Sequence, residues 1–147
     1  MSSYRHTQIG ILIVSVLGAS AIIVGAIVFL RGPITSFLAA LVILIVAAVL
    51  FASLTVEIKD AMLTVRFGPG LIRKRVPLAT IRSCEVVQNP WWYGWGIRLT
   101  PHGWLYNVSG FAAVELTLHS GRRLRIGTDE PERLCQAIDQ ARQGYEP

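Results

Sequence analysis

Two long stretches of this chain carry no charge. The first, Ile9 to Leu30, is IGILIVSVLGASAIIVGAIVFL, and the second, Ile34 to Val56, is ITSFLAALVILIVAAVLFASLTV. A helix that crosses a bilayer needs about 20 apolar residues, so each run predicts one crossing. Only Arg31-Gly32-Pro33 separates them. A link that short predicts an antiparallel transmembrane hairpin. The first run is too long for the apolar part of a cleaved signal, so it is expected to stay.

Beyond Val56 the period changes to two. Val56 and Ile58 alternate with polar neighbours, as do Leu63, Val65 and Phe67 after a turn at Asp60-Ala61. Gly68-Pro69-Gly70 predicts a second turn, followed by a short strand over 72–76. Further strands are expected over 81–88, from Ile97, over 104–108, over 114–118 and over 122–126. The last segment switches to helical spacing, with Leu134, Ile138 and Ala141 on one face. It predicts a helix over about 130–143, with Asp129 as its cap, Glu132 completing a capping box and Gly144 as its stop. About seven short antiparallel strands must cover one face of each other, which predicts a barrel closed by that C-terminal helix. The chain therefore divides into residues 1–56, a tail plus hairpin, and residues 57–147, the β domain.

Composition agrees with a membrane location. Of 147 residues, 52% are hydrophobic and 16% charged, against roughly 25% charged in soluble domains. Mean hydropathy is +0.50. From Glu57 onward the chain holds all nine acids and twelve of the fourteen Lys and Arg. Two crossings put both termini on one side. Arg73-Lys74-Arg75, close after the second run, favours the cytoplasmic side. Cys84 and Cys135 have no metal-ligand or CxxC spacing, so free thiols in a reducing cytoplasm are expected. They are read as fillers of apolar positions.

Three segments carry a resemblance: Tyr93-Gly-Trp-Gly-Ile-Arg98, Gly103-Trp-Leu-Tyr-Asn-Val-Ser-Gly110 and Arg125-Ile-Gly-Thr-Asp-Glu-Pro131. In these, and over essentially its whole length, the chain resembles bacterial pleckstrin-homology-like (PH-like) membrane proteins with two helices before the barrel. The resemblance implies a PH-like barrel in the cytoplasmic membrane and little about activity. The basic phosphoinositide signature of PH domains is missing. The first loop is only Asp60-Ala61, and the second strand carries only Arg66.

Catalytic chemistry is not expected. His6, His102 and His119 fall on the tail and on turns, without a nucleophile or acid beside them. Gly94-Trp-Gly lacks the Lys-Ser/Thr ending of a phosphate loop. No catalytic, cofactor or metal residue is therefore assigned, and no nucleic-acid partner. Two surfaces remain. Arg66, Arg73, Arg75, Arg123 and Arg125 fall on outward strand positions, where each could add about 1 kcal/mol of attraction to anionic headgroups. The same face is equally what a solvated sheet needs. Trp91, Trp92, Tyr93 and Trp95 sit in a loop after Pro90. They face either the membrane interface or a partner, or else fold back over the barrel mouth. Trp104 and Tyr106 alternate with Leu105 and are expected in the core.

The expected function is a non-enzymatic, membrane-anchored PH-like module that organises proteins or anionic lipid at the cytoplasmic membrane surface. The alternative is an accessory subunit docking into a larger membrane complex through its aromatic loop. Expected partners are the bilayer, anionic headgroups, and a second copy or another membrane protein.

Overall fold

The computed structural model describes Ser3–Tyr145. Residues 1, 2, 146 and 147, which the expected domain limits take in, lie outside the described residues. The tail begins as a strand, β1 (Tyr4–Ile9), and Gly10 turns it into helix α1 (Ile11–Arg31). After a link of three residues comes α2 (Thr35–Leu50), which packs against α1. Neither helix buries a residue inside the protein. At 1.5 Å per residue, α1 spans about 31 Å and α2 about 24 Å, against a hydrocarbon core of about 30 Å. Among the described residues, only α1 is long and apolar enough to qualify as a membrane span. The expected transmembrane hairpin, with spans over about 9–30 and 34–56, is thus corrected to one span-length helix and one shorter apolar helix. The second apolar run ends as helix at Leu50 because its last residues, Ser53 onward, extend into strand β2 (Ser53–Lys59). Leu54 and Val56 are apolar because they enter a protein core, not lipid.

The β domain is not a closed barrel. Its strands form two separate sheets, and that overturns the PH-like barrel. Sheet A runs β1-β2-β3-β4, all antiparallel, with β3 at Met62–Phe67 and β4 at Ile72–Pro77. Sheet B runs β5-β8-β9-β7-β6. Its members are β5 (Ile81–Gln88), β6 (Gly96–Thr100), β7 (Gly103–Asn107), β8 (Ala112–Leu118) and β9 (Arg123–Gly127). One pair, β7 with β9, is parallel. No hydrogen-bonded ladder joins β4 to β6 or β7, so the sheets part along that side.

Alternation builds the core. Leu54, Val56 and Ile58 on β2 pair with Phe67, Val65 and Leu63 on β3, and all six are buried. From sheet B come Tyr106, Val114, Leu116, Leu124 and Ile126. Helix α3 (Pro131–Gln143) closes one side with Leu134, Ile138 and Ala141. Its N-cap is Glu130 and makes no side-chain cap. Instead the Glu130 amide donates to Thr128 Oγ1, 3.1 Å away, so the expected Asp129 capping box does not form.

Helix α3 lies across β5, and this brings Cys135 to Cys84 with Cα atoms 5.7 Å apart. The two form a disulfide, which corrects the expectation of free thiols. Their separation of 51 residues carries no signal in the sequence, because the pairing is made by packing. A bond closing such a loop restricts the unfolded chain by about 4 kcal/mol in the chain-entropy estimate.

Candidate binding surface

The aromatic stretch is a strap over the outer face of sheet B. Asn89 anchors it, with its amide donating to the Phe111 carbonyl at 2.7 Å. Trp91–Tyr93 then make one 3-10 turn. Tyr93 is buried, and its hydroxyl lies 2.8 Å from His102 Nδ1. Its ring centroid lies 5.9 Å from the Arg125 guanidinium carbon. Trp95 is partly buried, donates its indole N–H to the Gly110 carbonyl at 3.1 Å, and packs on Phe111. So the four expected contact residues separate: Tyr93 and Trp95 fold back, while Trp91 and Trp92 stay 73% and 64% exposed.

The strap decides the fate of Arg125. Its position does point outward from the sheet, opposite Leu124 and Ile126. Yet it is only 7% exposed, because the strap covers that face. Arg125 Nε donates to Glu115 Oε2 at 2.8 Å, and Nη1 donates to Asn89 Oδ1 at 3.0 Å. Arg125 is therefore a structural ion pair and not a lipid contact, which corrects that assignment. Arg66 is half-buried beside Glu57, at 3.4 Å. Arg73 is exposed and donates to the Gly70 carbonyl at 3.1 Å. Arg123 is exposed, 3.7 Å from Glu115. Arg75 is exposed and makes no ion pair among the described residues.

Where the sheets part, a seam opens between β4 and β7. One cavity of about 620 Å³ is lined by Lys74, Arg75, Trp104, Arg122 and Arg123, among others. A second, of about 400 Å³, continues from it past Ile72, Arg73 and Ile97. Trp104 belongs to the inner face, as its alternation predicts, but at the seam that face is open. It is 50% exposed, so its expected place in the core is corrected. Tyr106 is the deeper wall, and burial pushes its phenol above the usual range, so it stays neutral. Lys74 and Arg122 were not among the contact residues expected from the sequence. Lys74 pairs with core residue Val65 and so occupies an inward position. A basic residue at an inward position is itself the signal that the sheet is open there.

A third feature surrounds the root of the helices. Gly10 packs so tightly that an added Cβ would lie 2.7 Å from the Phe51 carbonyl oxygen and 3.0 Å from Val108 Cβ. Gly68, with φ +48°, sits equally close to the Val49 and Leu50 carbonyls. The loops at this end carry Leu71, 78% exposed, and the exposed Phe111 against Trp95. Among the described residues, no group of three or more His, Cys, Asp or Glu side chains could hold a metal. No family model, curated protein or solved structure matches the chain. The PH-like resemblance thus stands on its quoted motif residues alone.

Proposed function

We propose that this chain is a non-catalytic module, rooted in a membrane by α1 and α2, whose β domain organises partners at the bilayer surface. The observation that carries this reading is the β1–β2 ladder. It pairs Tyr4 with Ile58 through to Ile9 with Ser53, on either side of the two apolar helices. A chain that enters the helices at Ile11 and leaves them at Leu50 must return to the side it left. The reading is therefore two-pass, with both ends of the helix pair on one face of the membrane. The shorter α2 is supplemented at its ends by Ile34 and Phe51, and insertion of both helices would bring exposed Leu71 and Phe111, in the loops around their root, to the interface. Aromatic and apolar side chains are favoured there.

Membrane fractionation tests it. The full chain should resist extraction by alkaline carbonate and require detergent. Recovery in the carbonate supernatant would overturn the anchoring. The side of the membrane follows from the thiols. A disulfide persists in an oxidising compartment. Blocked Cys84 and Cys135 in intact cells thus place the domain outside the cytoplasm. Free thiols place it inside, where the basic β4 would follow the positive-inside bias.

The accessory-subunit reading is favoured by Trp91 and Trp92, which the fold leaves exposed beside a fixed Tyr93. Replacing both by Ala should change stability by no more than about 0.5 kcal/mol each, as for other surface positions. It should also remove any partner that co-purifies in mild detergent. Retention of the partner would exclude this loop as its dock.

A further inference from the structure

The seam between the sheets combines three properties. First, β4 is the terminal strand of sheet A, so half of its backbone N–H and C=O groups face away from β3 without a ladder. Such an edge is a template for another strand. Pro77 ends it, since proline has no N–H to offer. Second, the floor beside this edge is apolar and open, with Trp104 half-exposed and Ile72, Ile97 and Tyr106 beside it. Third, the rim is cationic. Lys74, Arg75 and Arg122 make no ion pair among the described residues, and no acid lines either cavity.

We infer that this seam docks an extended acidic segment of a partner protein, which adds as a strand to the free edge of β4. The register assigns its chemistry. Arg73 and Arg75 pair with Arg66 and Thr64, so they project to the outer face, whereas Lys74 pairs with Val65 and projects inward. An added strand would alternate in the same way. Residues on one of its faces lie beside Arg73 and Arg75, where carboxylates are favoured. Residues on the other enter the seam against Trp104, where apolar side chains are favoured. The fitting partner thus alternates acidic with apolar residues. A second copy of this seam is a poor occupant, because like charges would face each other. A bilayer is a poor one too. Arg75, Arg122 and Arg123 lie on the far side of Lys74 from the root, roughly 10 Å beyond Phe67 at 3.3 Å per strand residue. This inference names the partner chemistry for the organising role above. It stands apart from anchoring, since carbonate extraction and peptide binding are read separately.

The test uses the full chain in mild detergent and a fluorescent peptide alternating Glu and Val, followed by anisotropy. Binding should occur, should weaken with salt, and should quench or shift tryptophan emission. The same peptide N-methylated on alternate residues, to remove its edge hydrogen bonds, should bind at least about tenfold more weakly. So should a peptide with the same residues in two blocks, because it lacks the alternation. Arg73→Glu with Arg75→Glu should abolish binding of the Glu peptide and admit one alternating Lys and Val. Equal binding of the N-methylated or block peptide would overturn the inference, leaving only general attraction of anions. So would full competition by anionic vesicles or by a short oligonucleotide. The N-methylated peptide needs no protein variant, so the test stands even if the double charge reversal fails to fold.

Discussion

At the residue scale, outward and exposed are different properties. Arg125 points out from sheet B, yet Tyr93 and Asn89 cover it, and Glu115 holds it. Truncating Arg125 to Ala would strip buried Glu115 of its hydrogen-bonded partner and leave it only the exposed Arg123, 3.7 Å away. The expected cost is about 3–5 kcal/mol, read by denaturant unfolding. A loss below about 1 kcal/mol would mean the strap does not exclude water. Tyr4 shows the opposite kind of defect. Its hydroxyl is buried with no hydrogen-bond partner. Burial, with a smaller contribution from Glu130, pushes its pKa up to about 12. The folded state therefore holds this proton more tightly than the unfolded chain, whose tyrosine has a pKa of 10.0. Its stabilising contribution is complete below pH 10 and fades as pH rises through about 12. Tyr4→Phe should remove Tyr4's part of that alkaline loss, with little cost at neutral pH, because no hydrogen bond is broken. Melting temperature against pH for both proteins checks this.

At the element scale, the β2–β3 hairpin is well specified but built with one ill-suited residue. Lys59 pairs with Met62, which leaves Asp60 and Ala61 as a two-residue loop. Both have positive φ, 51° and 61°. That is the geometry of a type I′ turn, where Asp-Gly is preferred. Alanine there costs energy through its Cβ. Ala61→Gly should raise stability by about 0.5–1 kcal/mol, net of the added freedom of the unfolded chain. A lower melting temperature would contradict the turn assignment. This hairpin was legible, as were the other alternating strands and α3, because their signals are local. What was not legible is non-local. β1, Tyr-Arg-His-Thr-Gln-Ile, reads as a polar tail because its partner lies more than 40 residues away. The end of α2 was hidden because β2 is buried and apolar, and a buried strand continues an apolar run without a break. Whether the sheets close was also invisible. It depends on β5 choosing β8 over its neighbours in sequence, and on β7, already paired with β6, taking β9 and not β8 on its other side. The site suffered in the same way: Trp104 was placed on the correct face, but only the open seam makes that face accessible.

At the scale of the whole molecule, the domain and its helices are joined without a linker. The Gly10 amide donates to the Ala52 carbonyl at 2.8 Å, and the Gly68 amide to the Ser53 carbonyl at 2.8 Å. Phe51 packs edge-on against Phe67, with ring centroids 5.4 Å apart, and Phe67 in turn meets Tyr106. The root is thus continuous with the core, so the helix pair fixes how the seam and the aromatic strap are presented. The pairing of β1 with β2 is what makes this arrangement possible. It can be measured in the membrane itself. Thr7 and Thr55 are register partners whose hydroxyls lie 2.9 Å apart. Thr7→Cys with Thr55→Cys should form an intramolecular cross-link on mild oxidation of carbonate-washed membranes, identified by mass spectrometry of the joined fragments. Absence of that cross-link in protein that remains in the membrane would contradict a single β domain built from both ends of the helix pair.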